Sequence, residues 1–374
     1  MLPWTSLRLG CGVMLAVLSI AVPAISQAQS GYSIVNLDRR GGSFSSGWGI
    51  NASGQVAGDA NLAVNPGPRA VRWTGTTVEK LDTLGGDNSQ CYAINASGQV
   101  AGHAYTTSNV AYHAVRWTGT TAEDLGTLGG TNSYGTGINS SGQVAGYSYT
   151  INNFGPHAAR WTGPTAEDLG TLGGDSSTGE GINDNGQVAG YSYTTRALAI
   201  HAVRWTGPTA EDLGTLGGSA SYGLAINASG QVAGYSDTTA HSPSSPSHAV
   251  RWTGTTPTDL GTLGGKYSFG YAINSSGTVV GSSLLANGNT DAFYTVGSKM
   301  IDLNSLLPAG STWQLINAYG INDNGWITGQ GVLNGKNHAY LLRPNAVPEP
   351  SALALFSVGV ASVGFQVFRK RRKE

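Results

Sequence analysis

The sequence predicts an all-β protein, a seven-bladed β-propeller of four-stranded blades whose last blade is closed by strands from the two chain ends. Three observations carry that prediction. First, the stretch Ile94-Asn95-Ala96-Ser97-Gly98-Gln99-Val100-Ala101-Gly102 returns at Ile50–Gly58, Ile138–Gly146, Ile182–Gly190 and Ile226–Gly234, then in degraded form at Ile273–Gly281 and Ile321–Gly329. The seven copies step by 44 to 48 residues, and a period in the 40s marks a repeat architecture. Second, each repeat carries four short strand signals and no segment of sustained helical periodicity. Third, the chain ends are complementary fragments of one such unit.

Within the unit Tyr92–Gly130 the strands follow in order. Ala93-Ile94 ends a first strand. Asn95-Ala96-Ser97-Gly98 suits a type I turn closed by a left-handed glycine, with the Asn side chain capping it. Gln99–Tyr105 is the second strand, followed by a variable polar loop. The third, His113-Ala114-Val115-Arg116-Trp117, is β-branched and aromatic. Thr118-Gly119-Thr120-Thr121 turns into the fourth, Glu123–Leu128, which Gly129-Gly130 ends. Four short antiparallel strands per unit make a propeller blade, and radial repetition leaves only short, protected edges. A parallel β-helix has shorter coils and needs no hairpins.

The ends close the count. Val35-Asn36-Leu37 through Gly49-Ile50-Asn51 aligns without a gap on Glu123-Asp124-Leu125 through Gly137-Ile138-Asn139. The chain thus begins with a fourth strand and ends, at His338–Leu342, with a third. Pairing Ile34–Leu37 with Ala339–Leu342 completes a seventh blade.

Other repeated positions read as framework. Trp73, Trp117, Trp161, Trp205 and Trp252 occupy one position and pack between blades. His113, His157, His201, His248 and His338 recur once per unit, too dispersed to converge on one ion, and are expected to bond neighbouring loops. Glu123-Asp124, Glu167-Asp168 and Glu211-Asp212 lie in like environments, unlike a catalytic carboxylate pair; they are expected to meet Arg116, Arg160 and Arg204 across the hairpin. Asn183-Asp184-Asn185-Gly186 lacks the further ligands of a calcium loop. No nucleophile elbow, phosphate loop, metal set or cofactor motif stands out. His-Ala-(apolar)-x-Trp, Asp-Leu-Gly-Thr-Leu-Gly-Gly and Ile-Asn-x-x-Gly-Gln-Val-x-Gly resemble the extracellular HAF repeat over nearly all of Gly31–Arg343, with Ala-Val or Ala-Ala where the family has Ala-Phe, restored only at Ala292-Phe293. The resemblance implies an exported repeat protein and no particular chemistry.

The termini read as addresses. Residues 1–28 form a secretory signal, with Arg8, an apolar Val13–Val22 and a cleavage site between Ala28 and Gln29. The repeat domain is 29–347. In 348–374, Pro348-Glu349-Pro350 precedes 18 mostly apolar residues, Ser351–Phe368, long enough to span a membrane as a helix, and a basic run, 369–373. This order resembles the PEP-CTERM sorting signal of Gram-negative bacteria. It implies a transient inner-membrane anchor, exosortase as processing partner, and a destination at the cell surface or in the extracellular matrix.

Between Gln29 and Val347 fourteen basic residues face nineteen acidic ones, a net charge of −5, so a nucleic-acid footprint is missing. Cys91 is the one cysteine there, which excludes an internal disulfide. The expected function is a non-enzymatic structural or interaction scaffold associated with exopolysaccharide. A lectin-like propeller is the alternative, with Tyr105, Tyr147, Tyr149, Tyr191, Tyr193 and Tyr235, beside the variable loops, as candidate glycan contacts. A polysaccharide-active enzyme is a further one.

Overall fold

Residues 31–38, 44–61, 68–151, 154–195, 199–239 and 245–345 are described by a computed structural model. The cleavage site at Ala28 and Gln29, the motif Pro348-Glu349-Pro350, the apolar span 351–368 and the basic tail lie outside these residues, as do parts of the variable loops singled out above. Among the described residues no helix is long and apolar enough to cross a membrane.

The described residues form 28 strands, β1 to β28, with short 3-10 turns at Thr107–Asn109 and Leu303–Leu306. They assort into five four-stranded sheets and one of eight, the latter two four-strand units joined by a single parallel bridge, Ser247 to Tyr267. The second unit shows the pattern: β6 (Gly85–Ile94), β7 (Val100–Thr106), β8 (Tyr112–Thr118) and β9 (Thr121–Asp124) are antiparallel neighbours in chain order. The fold is propeller-like. Each sheet has an inner strand equivalent to β6: β2 (Ser45–Ile50), β10 (Gly129–Ile138), β14 (Gly173–Ile182), β18 (Ser221–Ile226), β22 (Gly264–Ile273) and β26 (Trp313–Ile321). Every inner strand touches the next, and β26 touches β2, so the cycle returns to its start.

The ends meet as their sequences require. β1 (Tyr32–Asn36) pairs antiparallel with β28 (Lys336–Pro344), Ile34 opposite Leu342 and Val35 opposite Leu341. Leu37 N then donates to Ala339 O at 3.1 Å.

One boundary differs from the expectation. β9 stops at Asp124, and Gly129-Gly130 opens the next inner strand rather than ending the fourth. Side chains hold the intervening link: Asp124 Oδ1 accepts from Gly126 N at 2.8 Å, and Thr127 Oγ1 donates to Gly130 O at 2.9 Å. Gly126 and Gly129 take left-handed φ of 69° and 96°, which any other residue resists.

The repeat motif works as a staple. Asn95 closes its turn by accepting Gln99 N on its side chain and Gly98 N on its carbonyl, with Gly98 at φ 82°. Its amide Nδ2 donates onward to Asn139 O at 3.0 Å. The same link runs from Asn51 to Asn95, from Asn139 to Asn183, from Asn183 to Asn227, from Asn227 to Asn274, and from Asn322 back to Asn51. These amides are buried, so losing a partner strands a polar group at about 1–3 kcal/mol.

Between sheets lie separate apolar clusters. Trp117 packs on Ala57 and Ala70 of the preceding sheet and on Cys91 and Val100 of its own, and Trp161 likewise on Ala101 and Ala114. Arg116 pairs with Glu123 at 2.7 Å across the hairpin, as expected, and also donates to Gly142 O of the next sheet's turn at 2.6 Å. The histidines bond differently from the expectation. His113 Nδ1 lies 2.9 Å from Asp124 in its own sheet's outer strand, and His157, His201 and His248 repeat the pairing. The strand register decides this, because the position sits beside the Asp of its own hairpin rather than beside a neighbouring loop. His338 meets Asp38 at 3.6 Å, across the junction of the two chain ends.

Candidate functional site

The inner strands share one irregularity. Gly47 pairs with Gly58 and Gly49 with Ala57, so Trp48 between them has no partner. The same slip leaves out Tyr92 in β6, Thr136 in β10 and Glu180 in β14. It also leaves out Leu224 in β18, Tyr271 in β22 and Tyr319 in β26. Each is a β-bulge, a device that adds a residue to one strand and re-aims its side chain. All seven bulged residues line one cavity of about 350 Å³, with Tyr134 and Tyr147 beside them.

The bulge depends on the last glycine of the repeat motif. A Cβ on Gly190 would lie 1.9 Å from Thr178 O, and on Gly146 1.8 Å from Tyr134 O. Equivalent glycines in the other five four-strand units meet the equivalent carbonyl at 1.8 to 2.0 Å. Only a residue without a side chain lets the bulged strand come this close.

The lining is two-sided. Tyr92, Trp48, Tyr319 and Tyr271 form an aromatic arc over four consecutive sheets, with ring centroids 5.9, 4.2 and 5.2 Å apart in that order. Thr136, Glu180 and Leu224 occupy the other three bulged positions, and Tyr134 and Tyr147 join the lining from the sheet of Thr136. Thr136 Oγ1 is taken up by Gly179 O at 2.9 Å, which leaves Glu180 as the ionisable acid of the lining.

Glu180 is set deep in protein but keeps partial solvent access through the cavity. Desolvation pushes its carboxyl up to about 8, and among the described residues no hydrogen bond or counter-charge opposes that shift. Asp59 is handled otherwise. It is buried, and its oxygens accept Trp48 Nε1 at 2.8 Å and Cys91 N at 3.2 Å. Burial pushes it up to about 7, with those bonds acting in the opposite direction. Asp59 therefore fixes the Trp48 indole rather than facing the cavity.

The six tyrosines singled out from sequence divide into two tiers. Tyr147, Tyr191 and Tyr235 stand opposite Tyr134, Thr178 and Tyr222 of the inner strands. Tyr147 stacks on Tyr134 at 4.7 Å and Tyr235 on Tyr222 at 4.6 Å. Burial raises all three hydroxyl pKa values. Tyr105, Tyr149 and Tyr193 lie two residues further along the second strand; Tyr105 stacks on Tyr112 at 3.8 Å, and Tyr193 is exposed. Of the six, Tyr147 lines the cavity. Sequence reasoning missed the bulged residues. The signal that marks them is the strand glycine recurring in every copy, opposite a position whose residue type changes from copy to copy.

Among the described residues no three His, Cys, Asp or Glu side chains come together as a metal site. Residues 346–372 match the PEP-CTERM protein-sorting motif. No curated protein matches the chain in sequence. Among solved structures, Pyrococcus horikoshii acylaminoacyl peptidase is similar at TM-score 0.51 and 10% identity, over 81% of this chain and 52% of the peptidase. TolB from Acinetobacter baumannii is similar at TM-score 0.43 and 12% identity, over 78% of this chain and 65% of TolB. Aleuria aurantia lectin in complex with Fucα1-6GlcNAc follows at 0.35 and 12%, over 72% of this chain and the whole lectin. The chain thus spans less than two thirds of the peptidase and of TolB, and at such identities the likeness to the peptidase concerns the fold alone. The C-terminal match is what carries an address: it marks the chain as an exported protein directed to exosortase.

Proposed function

We propose that this chain is an exosortase-processed cell-surface or matrix protein whose body is a closed seven-bladed propeller of HAF-type repeats. It works as a non-enzymatic scaffold that holds a glycan of the exopolysaccharide layer in its axial cavity. The ring reading rests on the cycle of inner-strand contacts and on the β1–β28 pairing. The binding reading rests on one observation. At the bulged position, where the frame aims side chains into the cavity, the residues run Trp48, Tyr92, Thr136, Glu180, Leu224, Tyr271, Tyr319, while the surrounding frame repeats. An aromatic-lined hollow that also carries tyrosine hydroxyls and one carboxyl, at the low end of the ~300–1,000 Å³ typical of ligand pockets, suits a sugar ring stacked on aromatic faces.

The carboxyls support the non-catalytic half of the proposal. Glycoside hydrolysis by the usual route takes two of them across one cleft. Glu180 faces the cavity, but Asp59 is held by Trp48 and Cys91. The test is calorimetric titration of the full chain with oligosaccharides from native exopolysaccharide, alongside Trp48→Ala. Binding that Trp48→Ala weakens at least about tenfold supports the reading. No heat with any fragment, or affinity unchanged in the variant, removes it.

A further inference from the structure

The ring places the sheets of Glu180 and of Trp48 three steps apart in one direction, and those of Glu180 and Tyr319 three steps apart in the other. The sheet of Glu180 therefore lies opposite those of Trp48 and Tyr319, the closest aromatic pair of the lining, across the cavity axis. No Lys, Arg or His is among the lining residues. An unpartnered acid opposite an arc of aromatic faces is a surface for a cation, because ring faces carry negative potential and the carboxylate supplies the charge-assisted hydrogen bond. The fixed Trp48 indole strengthens this. Its N–H points at Asp59, away from the cavity axis, and an acceptor on that N–H enriches the ring face presented to a ligand.

We propose that the axial cavity selects a sugar bearing a free, protonated amine, its ammonium held between the Glu180 carboxylate and the aromatic arc of Trp48, Tyr319, Tyr271 and Tyr92. The inference rests on the reading above that this cavity is the recognition site, and names the chemistry of its ligand. N-acetylation of the same sugar removes the charge and adds bulk, so the site discriminates between amine and acetamide.

A second consequence concerns protons. The empty site keeps Glu180 largely protonated at neutral pH. The groups facing it are the hydroxyls of Tyr92, Tyr147, Tyr191 and Tyr235, all held neutral by burial, with Asp59 behind Tyr92. An incoming ammonium keeps its own proton and stabilises the carboxylate, so Glu180 loses its proton to solvent. Binding at pH 7 releases up to one proton per ligand, whereas a neutral sugar releases none.

The experiment is isothermal titration of the purified full chain at pH 7, in two buffers of different ionisation enthalpy. The ligands are glucosamine oligosaccharides, their N-acetylated counterparts, glucose oligosaccharides and tetramethylammonium chloride, each against wild type and Glu180→Gln. The expected result is about tenfold or more preference for the amine over the acetamide. It comes with proton release that depends on buffer, and both are lost in Glu180→Gln while its melting temperature at pH 7 is no lower than that of the wild type. Sugars that bind equally with and without the amine, or a preference that persists in Glu180→Gln, overturn this inference but leave the glycan reading standing. Tetramethylammonium binding that needs Glu180, with no sugar binding at all, supports the cation site and defeats the glycan reading. No binding by any of the four ligands defeats both.

Discussion

Replacing Gly190 by alanine tests the device on which the site depends. The added Cβ would lie 1.9 Å from Thr178 O and 2.9 Å from both Thr178 C and Trp205 Cζ3. Cβ atoms do not approach closer than 3.0 Å, so the inner strand must retreat by roughly 1 Å. Overpacking of this kind costs about 1–3 kcal/mol. The obstacle here is backbone and a packed indole rather than a flexible side chain, which puts the cost near the upper end. Pairing of Gly179 with Gly190, just before the Glu180 bulge, is strained as well, at roughly 1 kcal/mol per hydrogen bond. For a unit of about 315 residues, a total of about 3–4 kcal/mol corresponds to a fall in melting temperature of roughly 4–6 °C. Gly207→Ala is the control. Gly207 has φ 61° but nothing within 4 Å, so only the left-handed penalty of about 1–2 kcal/mol applies. Thermal and urea unfolding followed by tryptophan fluorescence should rank Gly190→Ala well below Gly207→Ala. If the two melt together, the close approach at the bulge is not what the strand glycine provides.

Glu180→Gln should change how stability depends on pH. The folded protein favours the neutral acid, so that group's contribution is fully present below about 4.5 and is lost as pH rises towards about 8. The wild-type melting temperature should therefore fall relative to Glu180→Gln between pH 5 and pH 8, and parallel curves would contradict the burial. Asp59→Ala leaves the Trp48 indole N–H without its acceptor; a loss of about 1–3 kcal/mol and a shifted tryptophan emission are expected in a urea titration. Asn322→Ala cuts the link that returns the turn ladder to Asn51, and amide exchange should accelerate around β26 and β2 more than around β10. Mass spectrometry of the mature protein should find a C-terminus near Pro348 to Pro350, and an intact end at Glu374 would contradict processing.

The frame was legible because its chemistry is local. Asn95 and Gly98 announce a turn whose geometry only those residue types favour, and the partial units at the ends announce their own pairing. The Gly129-Gly130 pair misled for a related reason. Glycines usually punctuate, but here the left-handed Gly129 starts a ten-residue strand after the Asp124 and Thr127 side chains have turned the chain. The site was harder to read. A bulge changes which face a residue occupies without altering composition, so nothing in the sequence around Glu180 singles it out. Tyr147 was legible as an aromatic near a candidate site, but its inward direction depends on its pairing with Tyr134.

The junction of the two chain ends sets an order of events. Asn345 N donates to Gly31 O at 2.8 Å, and Tyr32 lies opposite Pro344, so β1 cannot complete its pairing until β28 has been made. For an open chain of about 300 residues, bringing such ends together costs about 5 kcal/mol in conformational entropy. Sheets that form in sequence shorten the free span before the final step. Until then the unpaired edge of β28 and the loose β1 are open to the same pairing in a neighbouring copy. The sorting match begins at residue 346, two residues after β28. By the time that address has been synthesised, the strand that pairs with β1 is already in the chain, and a product truncated before β28 lacks both that partner and the address.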